Sequence, residues 1–427
     1  MRIYFIIAMK LKSIFLLVFT ITAAIVSASE IRYVGGDISL FPTYQEAGSK
    51  YKDENGKDID LLPYLHEIGM NAMRVRLFVD PVAFQEKHPN DYDPNACQSL
   101  PYIIPLCQEI LNNGFELMLD FHYSDTWADP GAQWIPDSWK DLSDAELEQK
   151  IYDYTKETLI TLKENNITPK FIQPGNEISY GMLWAEYGND IPGNHVYNTS
   201  SNASWQRFGD FLKAAINACR EICSDSEIVI HTERVAQVNV LTNFYDKMSS
   251  LNIDYDIIGL SYYPYFHGNM KTLDNALTTL ENKYPEKSIM IVETGYPYAW
   301  EVPGTSEKVD YPYTYAGQNA FAQELVDTLL SHKKVNGLFW WWLEYNAYGT
   351  QLKGWYNAPL FDSQNGKATP ALKTIASFGN DAGIDGIMMD KSPLDGSWYD
   401  INGIKVASPN RSGFYIHNGE KIYIKNK

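Results

Sequence analysis

Two glutamates stand at the ends of apolar runs, Glu177 in FIQPGNEIS and Glu293 in IMIVETGYP. An isolated Glu is ordinarily a solvated surface charge, but two that close buried strands point to chemistry. Glycoside hydrolysis needs such a pair: one carboxyl protonates the leaving oxygen while the other attacks the anomeric carbon or activates water. Arg74 and Arg76 are two apart in a strand and so share a face, where an inward arginine can hold a nucleophilic carboxylate ionised. Asp120 and His122 share a face of the next strand, and Asn176 precedes Glu177, where it could hydrogen-bond a ring hydroxyl. The segment Ser261-Tyr262-Tyr263-Pro264 offers a hydroxyl, and Trp340-Trp341-Trp342 offers a stacking platform for a sugar face. Taken singly, each of these is better explained by packing or salt bridging; their shared location is the signal.

That location follows from the elements. Short β-branched or aromatic runs alternate with amphipathic segments, the pattern of a parallel sheet covered by helices. The strands are expected at Ile31–Gly35, Ala72–Val79, Glu116–Tyr123, Lys170–Pro174, Glu227–His231, Ile257–Tyr262, Ser288–Glu293 and Gly337–Trp342. Helices are expected at Leu61–Ile68, Leu100–Asn112, Asp144–Asn165, Ser204–Cys223, Thr272–Tyr284 and Tyr315–His332, with Asp144 as the N-cap of the third. Eight such units predict an α/β fold, a (β/α)8 TIM barrel, whose catalytic groups sit at the C-terminal ends of the strands. Glu177 and Glu293 then close strands four and seven, on opposite sides of one mouth. A doubly wound sheet would carry a phosphate-binding glycine fingerprint after its first strand, and Gly35-Gly36-Asp37 does not supply one.

Composition narrows the partners. A net charge of −18 repels phosphate backbones and anionic lipid, so nucleic acid is excluded as a partner, and no apolar run is long enough for a membrane span. The aromatic fraction of 14% suits a sugar-binding cleft, although any one ring is more often core. Residues 1–28 carry Arg2, Lys10 and Lys12, no acid, an apolar run from Ile14 to Val26, and Val26-Ser27-Ala28 before the expected cleavage point: a signal peptide, implying export to the periplasm or the cell exterior. Residues 29–385 are expected to form the barrel and residues 386–427 a small β-rich tail, because Asn402-Gly403 and Asn418-Gly419 separate short alternating runs. Cys97, Cys107, Cys219 and Cys223 read as structural thiols or disulfides rather than a metal site, since two further ligands are missing. There is no GxSxG, HExxH or P-loop. His122, His231 and His267 form no dense ligand cluster and read as satisfied rim histidines.

The strings MRVRLFVDP (73–81), DFHYSDTWADP (120–130), GNE (175–177), SYYPYFHG (261–268), VETGYP (292–297) and WYNAPLFD (355–362) resemble the signatures of glycoside hydrolase family 53, from about Val34 to Phe378. The resemblance implies a TIM barrel and retaining, endo-acting hydrolysis of β-1,4-galactan, the side chain of pectic arabinogalactan. It implies that Glu177 is the acid/base and Glu293 the nucleophile. It also implies that Arg74, Asn176, Tyr262 and Trp341 shape the subsite of the cleaved sugar, with Asp120, His122, Asp125, Trp127 and His267 around them and Asn176 bonding the sugar 2-hydroxyl. Catalysis then needs no cofactor.

The sequence also departs from the family pattern. The eighth strand reads Trp340-Trp341-Trp342-Leu343, without the Glu and Pro usual after the aromatics, and Phe266 stands where Trp is more common. The segment from Ala299 to Tyr311 has Glu301, Glu307 and Asp310 but not the Asp/Gly/His/Asn cluster that holds calcium in some members, so no metal is expected. The tail from Lys391 resembles, more weakly, β-rich C-terminal segments of exported Bacteroidetes proteins; a packed appendage is the alternative. Two other functions stay open on the residues alone: the same chemistry on another β-linked plant polysaccharide such as mannan, and a non-catalytic glycan-capture protein. Two buried carboxylates weigh against capture, because their desolvation serves no purpose in a pure binder.

Overall fold

The computed structural model describes residues 31–302, 305, 309–346 and 359–379, and in the C-terminal region residues 398–400, 405–406, 408, 413–417 and 420–424. The expected signal peptide, part of WYNAPLFD and the boundary between barrel and tail lie outside these residues.

Eight parallel strands close into a barrel: β1 Tyr33–Asp37, β2 Ala72–Leu77, β3 Glu116–Phe121, β4 Phe171–Pro174, β5 Glu227–Thr232, β6 Ile257–Tyr262, β7 Ser288–Thr294 and β8 Val335–Trp340. Each strand is followed by one main helix: α1 Leu61–Glu67, α2 Leu100–Asn112, α3 Asp144–Glu164, α4 Asn202–Ile222, α5 Val238–Ser250, α6 Met270–Lys283, α7 Tyr315–Ser331 and α8 Pro370–Ala376. This is the expected (β/α)8 barrel. Helix α5 was not among the expected helices; its opening Val-Asn-Val-Leu has the β-branched character of a strand, and packing of Leu241, Phe244, Tyr245 and Met248 overrides that propensity. The N-cap of α3 is Ser143 rather than Asp144. Ser143 N–H donates to Glu146 Oε2 at 2.8 Å while the Ser143 side chain accepts from the Glu146 backbone N–H, which closes a capping box.

Strand alternation separates two cores. Outward residues such as Leu119, Ile230, Leu260 and Ile291 pack beneath the helices. Inward residues Ala72, Met118, Phe171, Val229, Ile257, Met290, Val292 and Phe339 fill the barrel floor. Gly35 and Gly36 let β1 approach its neighbours, since a Cβ would lie 1.7 Å from Ala72 O at the first and 2.5 Å from Leu343 Cβ at the second. The four cysteines are free thiols, which resolves the thiol-or-disulfide alternative toward thiols. In the C-terminal region, β9 Trp398–Asp400, β10 Lys405–Val406, β11 Gly413–His417 and β12 Glu420–Ile424 form an antiparallel sheet in the order β10-β9-β11-β12.

Candidate active site

Above the apolar floor, the next inward residues of the same strands are polar and buried: Arg74, Asp120, Gln173, His231 and Ser261. Arg74 organises them. Its Nη2 lies 2.8 Å from Asp120 Oδ2, 2.9 Å from Asn176 Oδ1 and 3.0 Å from Glu293 Oε1, and its Nη1 lies 3.2 Å from Asp37 Oδ2. Asp37 also takes Arg76 Nη1 at 2.7 Å. Charges this deeply buried persist only when paired, and each guanidinium here has carboxylates around it.

Two backbone devices aim the glutamates. Met290 and Val292 both face the floor, so strict alternation would turn Glu293 outward. Pairing of β7 with both neighbours slips there, with Leu260 opposite Ile291 but Ser261 opposite Glu293, and this irregularity redirects Glu293 into the mouth. After β4 the chain turns through Gly175 at φ 104°, and Glu177 itself adopts φ 47°, ψ 50°. A left-handed conformation costs a non-glycine residue about 1 kcal/mol or more and recurs at functional sites. It is held here by Gln133 Nε2 donating to Asn176 O at 2.8 Å and by Glu177 N–H donating to His231 Nδ1 at 3.3 Å.

Glu177, Glu293, Asn176, Trp127, His267 and Trp341 line one cleft of about 580 Å³, together with Trp342, Tyr263, Phe266, Asp93, Asp129 and Glu233. Glu177 Oε1 accepts from Ser261 Oγ at 2.6 Å, and Glu293 Oε2 accepts from Tyr263 Oη at 3.2 Å. Carboxyl oxygens of the two glutamates lie within 4.8 Å of each other. Burial pushes the Glu177 carboxyl well above the usual range, and the charges of Glu293 and Glu233 add to it. Burial also raises Glu293, to about 7, while Arg74 pulls it back. The pair is therefore split, with Glu293 ionising first and Glu177 keeping the proton. At Asp120 burial is outweighed by Arg74 and His122, so this carboxyl titrates below its ordinary value.

Other expected site residues sit around or beneath this centre. His122 lies under the cleft, Nε2 3.1 Å from Asp120 Oδ2 and Nδ1 accepting from Ala128 N–H at 3.0 Å. Trp127 is tethered through Nε1 to Asp93 Oδ2 at 2.7 Å, and the Arg76 guanidinium lies 4.7 Å from its ring centroid and 5.2 Å from that of Trp341. His267 Nδ1 accepts from Tyr263 N–H at 3.1 Å, and burial lowers its imidazole to about 4.

Two expected residues stand apart from this centre. Tyr262 points into the sheet–helix layer, stacks on Phe321 and donates to Gly268 O at 3.0 Å; the tyrosine that reaches the mouth is Tyr263, on the same face as Ser261. Asp125 is buried behind the wall, where it accepts the backbone N–H groups of Asp80 and Asp137 at 2.9 and 2.7 Å and ties two rim loops together. Burial raises its carboxyl to about 6. Sequence reasoning gave no role to Asp37, Gln173 or Glu233, and named Tyr263 only within the segment Ser261-Tyr262-Tyr263-Pro264 that offers a hydroxyl. An acid also follows the eighth strand: Glu344, one residue beyond Leu343, is fully buried and accepts Leu40 N–H at 2.8 Å. Glu177, His231 and Glu293 are the one group of metal-ligand type close enough to share an ion among the described residues. Both nitrogens of His231 are already engaged by protein, Nε2 by Ser261 and Nδ1 by Gln173 and Glu177 N–H.

The sequence profile of glycosyl hydrolase family 53 matches residues 33–375. An arabinogalactan endo-β-1,4-galactanase of Cellvibrio japonicus is 32% identical over 362 residues, covering 80% of this chain and 89% of that protein. The family 53 catalytic domain of Ignisphaera aggregans superposes with a TM-score of 0.68 at 32% identity, covering 81% of this chain and 95% of that one. A structure of fungal β-1,4-galactanases superposes with a TM-score of 0.66 at 25% identity, covering 81% and 99%. The chain belongs to glycosyl hydrolase family 53 and is a glycoside hydrolase.

Proposed function

We propose that this protein hydrolyses β-1,4-galactosidic linkages within galactan, with retention of anomeric configuration, Glu177 serving as acid/base and Glu293 as nucleophile. The observation that carries this reading is the pair itself: carboxyl oxygens that approach within 4.8 Å, in keeping with the ~5–5.5 Å spacing of the two carboxyl groups in retaining enzymes. The names of the family relatives support galactan as the substrate.

In the first step Glu293 in its ionised form, which Arg74 favours against burial and Tyr263 hydrogen-bonds, attacks the anomeric carbon while Glu177 gives its proton to the departing glycosidic oxygen. The bond to the leaving sugar breaks and a galactosyl ester forms on Glu293. In the second step Glu177, now ionised, takes a proton from water, which attacks the same carbon from the vacated face and releases Glu293. Asn176 bonds the 2-hydroxyl of the reacting sugar, a contact that strengthens in the transition state. Trp127 and Trp341 supply apolar faces to adjoining sugars, and His122 and Asp120 hold Arg74 in register from below. The N-terminal signal peptide delivers the enzyme outside the cytoplasm, where the polymer is found, and the C-terminal sheet lies beyond the family match.

Reducing-sugar release from galactan, arabinogalactan, mannan, xylan and cellulose, run beside Glu293→Gln, tests the reading. Release of mixed oligomers from galactan alone, abolished in the variant, is expected. Release from mannan but not galactan would move the substrate, and tight galactan binding without any release would make this a capture protein.

A further inference from the structure

Resting on the acid/base role of Glu177, we propose that His231 and Ser261 are positioning residues that dictate which oxygen of the Glu177 carboxyl carries the catalytic proton. The argument is one of donors and acceptors. His231 is fully buried, and burial together with Arg74 and His122 keeps its imidazole neutral, with Asp120 opposing. A neutral ring has one N–H and one bare nitrogen. Nδ1 faces two obligatory donors: the Glu177 backbone N–H at 3.3 Å and Gln173 Nε2 at 3.1 Å. The Gln173 amide is itself oriented by Asp120 Oδ1, which its Nε2 meets at 2.6 Å. One acceptor, Asn176 Oδ1, also lies 3.1 Å from Nδ1 and takes Arg74 Nη2 through one of its two lone pairs, so around Nδ1 two donors outnumber one acceptor. The imidazole proton therefore sits on Nε2 and is donated to Ser261 Oγ at 2.8 Å. Ser261 has a single proton, and with its oxygen accepting from His231 that proton goes to Glu177 Oε1 at 2.6 Å. Oε1 is held as an acceptor, and the acid proton is confined to Oε2. The relay thus sets the direction of proton delivery through a backbone contact and a hydroxyl, without either residue meeting the sugar.

Ser261→Ala, with Ser261→Thr as the conservative control, tests this on two substrates: galactan, whose leaving sugar needs protonation, and a dinitrophenyl galactobioside, whose leaving group does not. The expected result is a kcat loss of at least about tenfold on galactan, little loss on the aryl substrate, and recovery in Ser261→Thr. The alkaline limb of the galactan pH profile should move up in Ser261→Ala, because the lost hydrogen bond favours the ionised form. Glu293, Glu233 and Asp129, which also face Glu177, are unchanged. Nitrogen-15 spectra of the full chain should show the His231 proton on Nε2. Equal losses on both substrates, or a proton on Nδ1, would overturn the proposal. Absence of turnover on either substrate by the unsubstituted protein would instead defeat the galactanase reading, and the histidine spectrum would still be readable.

Discussion

The floor and the mouth of the barrel are built from the same strands, on the same inward face, two residues apart. On β2 the step is from Ala72 to Arg74, on β3 from Met118 to Asp120, on β4 from Phe171 to Gln173 and on β5 from Val229 to His231, and all eight side chains are fully buried. The floor is apolar and contributes through packing alone. The mouth is charged and stands only because each group has partners: Arg74 among Asp37, Asp120 and Glu293, and His231 between Ser261 and Gln173. Alternation along a strand thus decides which face a residue occupies, while height along the strand decides whether it stabilises or reacts.

Substitutions on the two levels should separate these roles. The largest effect belongs to the mouth: Glu293→Gln should lower kcat on galactan by about 10⁴-fold or more, and a variant retaining a tenth of the parent rate would break the comparison. On the floor, Met118→Ala should cost about 2–5 kcal/mol of unfolding free energy with kcat unchanged below its melting temperature. Its neighbour in the mouth, Asp120→Asn, should show the reverse pattern, a fall in kcat with a smaller stability loss. Tyr263→Phe removes a hydrogen bond to a carboxylate, worth about 1.5–3 kcal/mol, and should lower kcat roughly tenfold or more, whereas Tyr262→Phe should leave kcat alone. The smallest effect is in pH dependence. Folding raises the Glu177 pKa, so the folded state binds its proton more tightly, and the stability this adds is lost as pH rises through the folded value. Glu177→Gln should therefore gain a few degrees in Tm relative to the parent at alkaline pH and not at pH 4, a sign that thermal melts at the two pH values would check.

Much of the mouth was legible because strand ends and two-residue spacing are local signals. Glu177, Glu293, Arg74, Asp120, His122 and Asn176 all come together from them, and Trp341 projects inward where Trp340 does not. What escaped depends on departures from regular geometry or on distant partners. Tyr262 and Tyr263 differ by one residue and face opposite sides, and counting in twos from an inward Ser261 would have picked Tyr263. The slipped pairing at Glu293 and the left-handed backbone of Glu177 have no local sequence mark. Asp125 lies in DFHYSDTWADP, one of the strings that carry the family resemblance, yet its carboxyl is consumed by backbone amides of loops that only the closed barrel brings near. Asp37 was read only as a missing glycine fingerprint, because its value lies in arginines two strand positions apart on a neighbouring strand.

The most direct test is the anomeric configuration of the first product, followed by proton NMR during early hydrolysis of galactan. The paired carboxylates predict that new reducing ends appear as the β-anomer and only later equilibrate toward α. Initial appearance of the α-anomer would show inversion and contradict the roles given to Glu177 and Glu293.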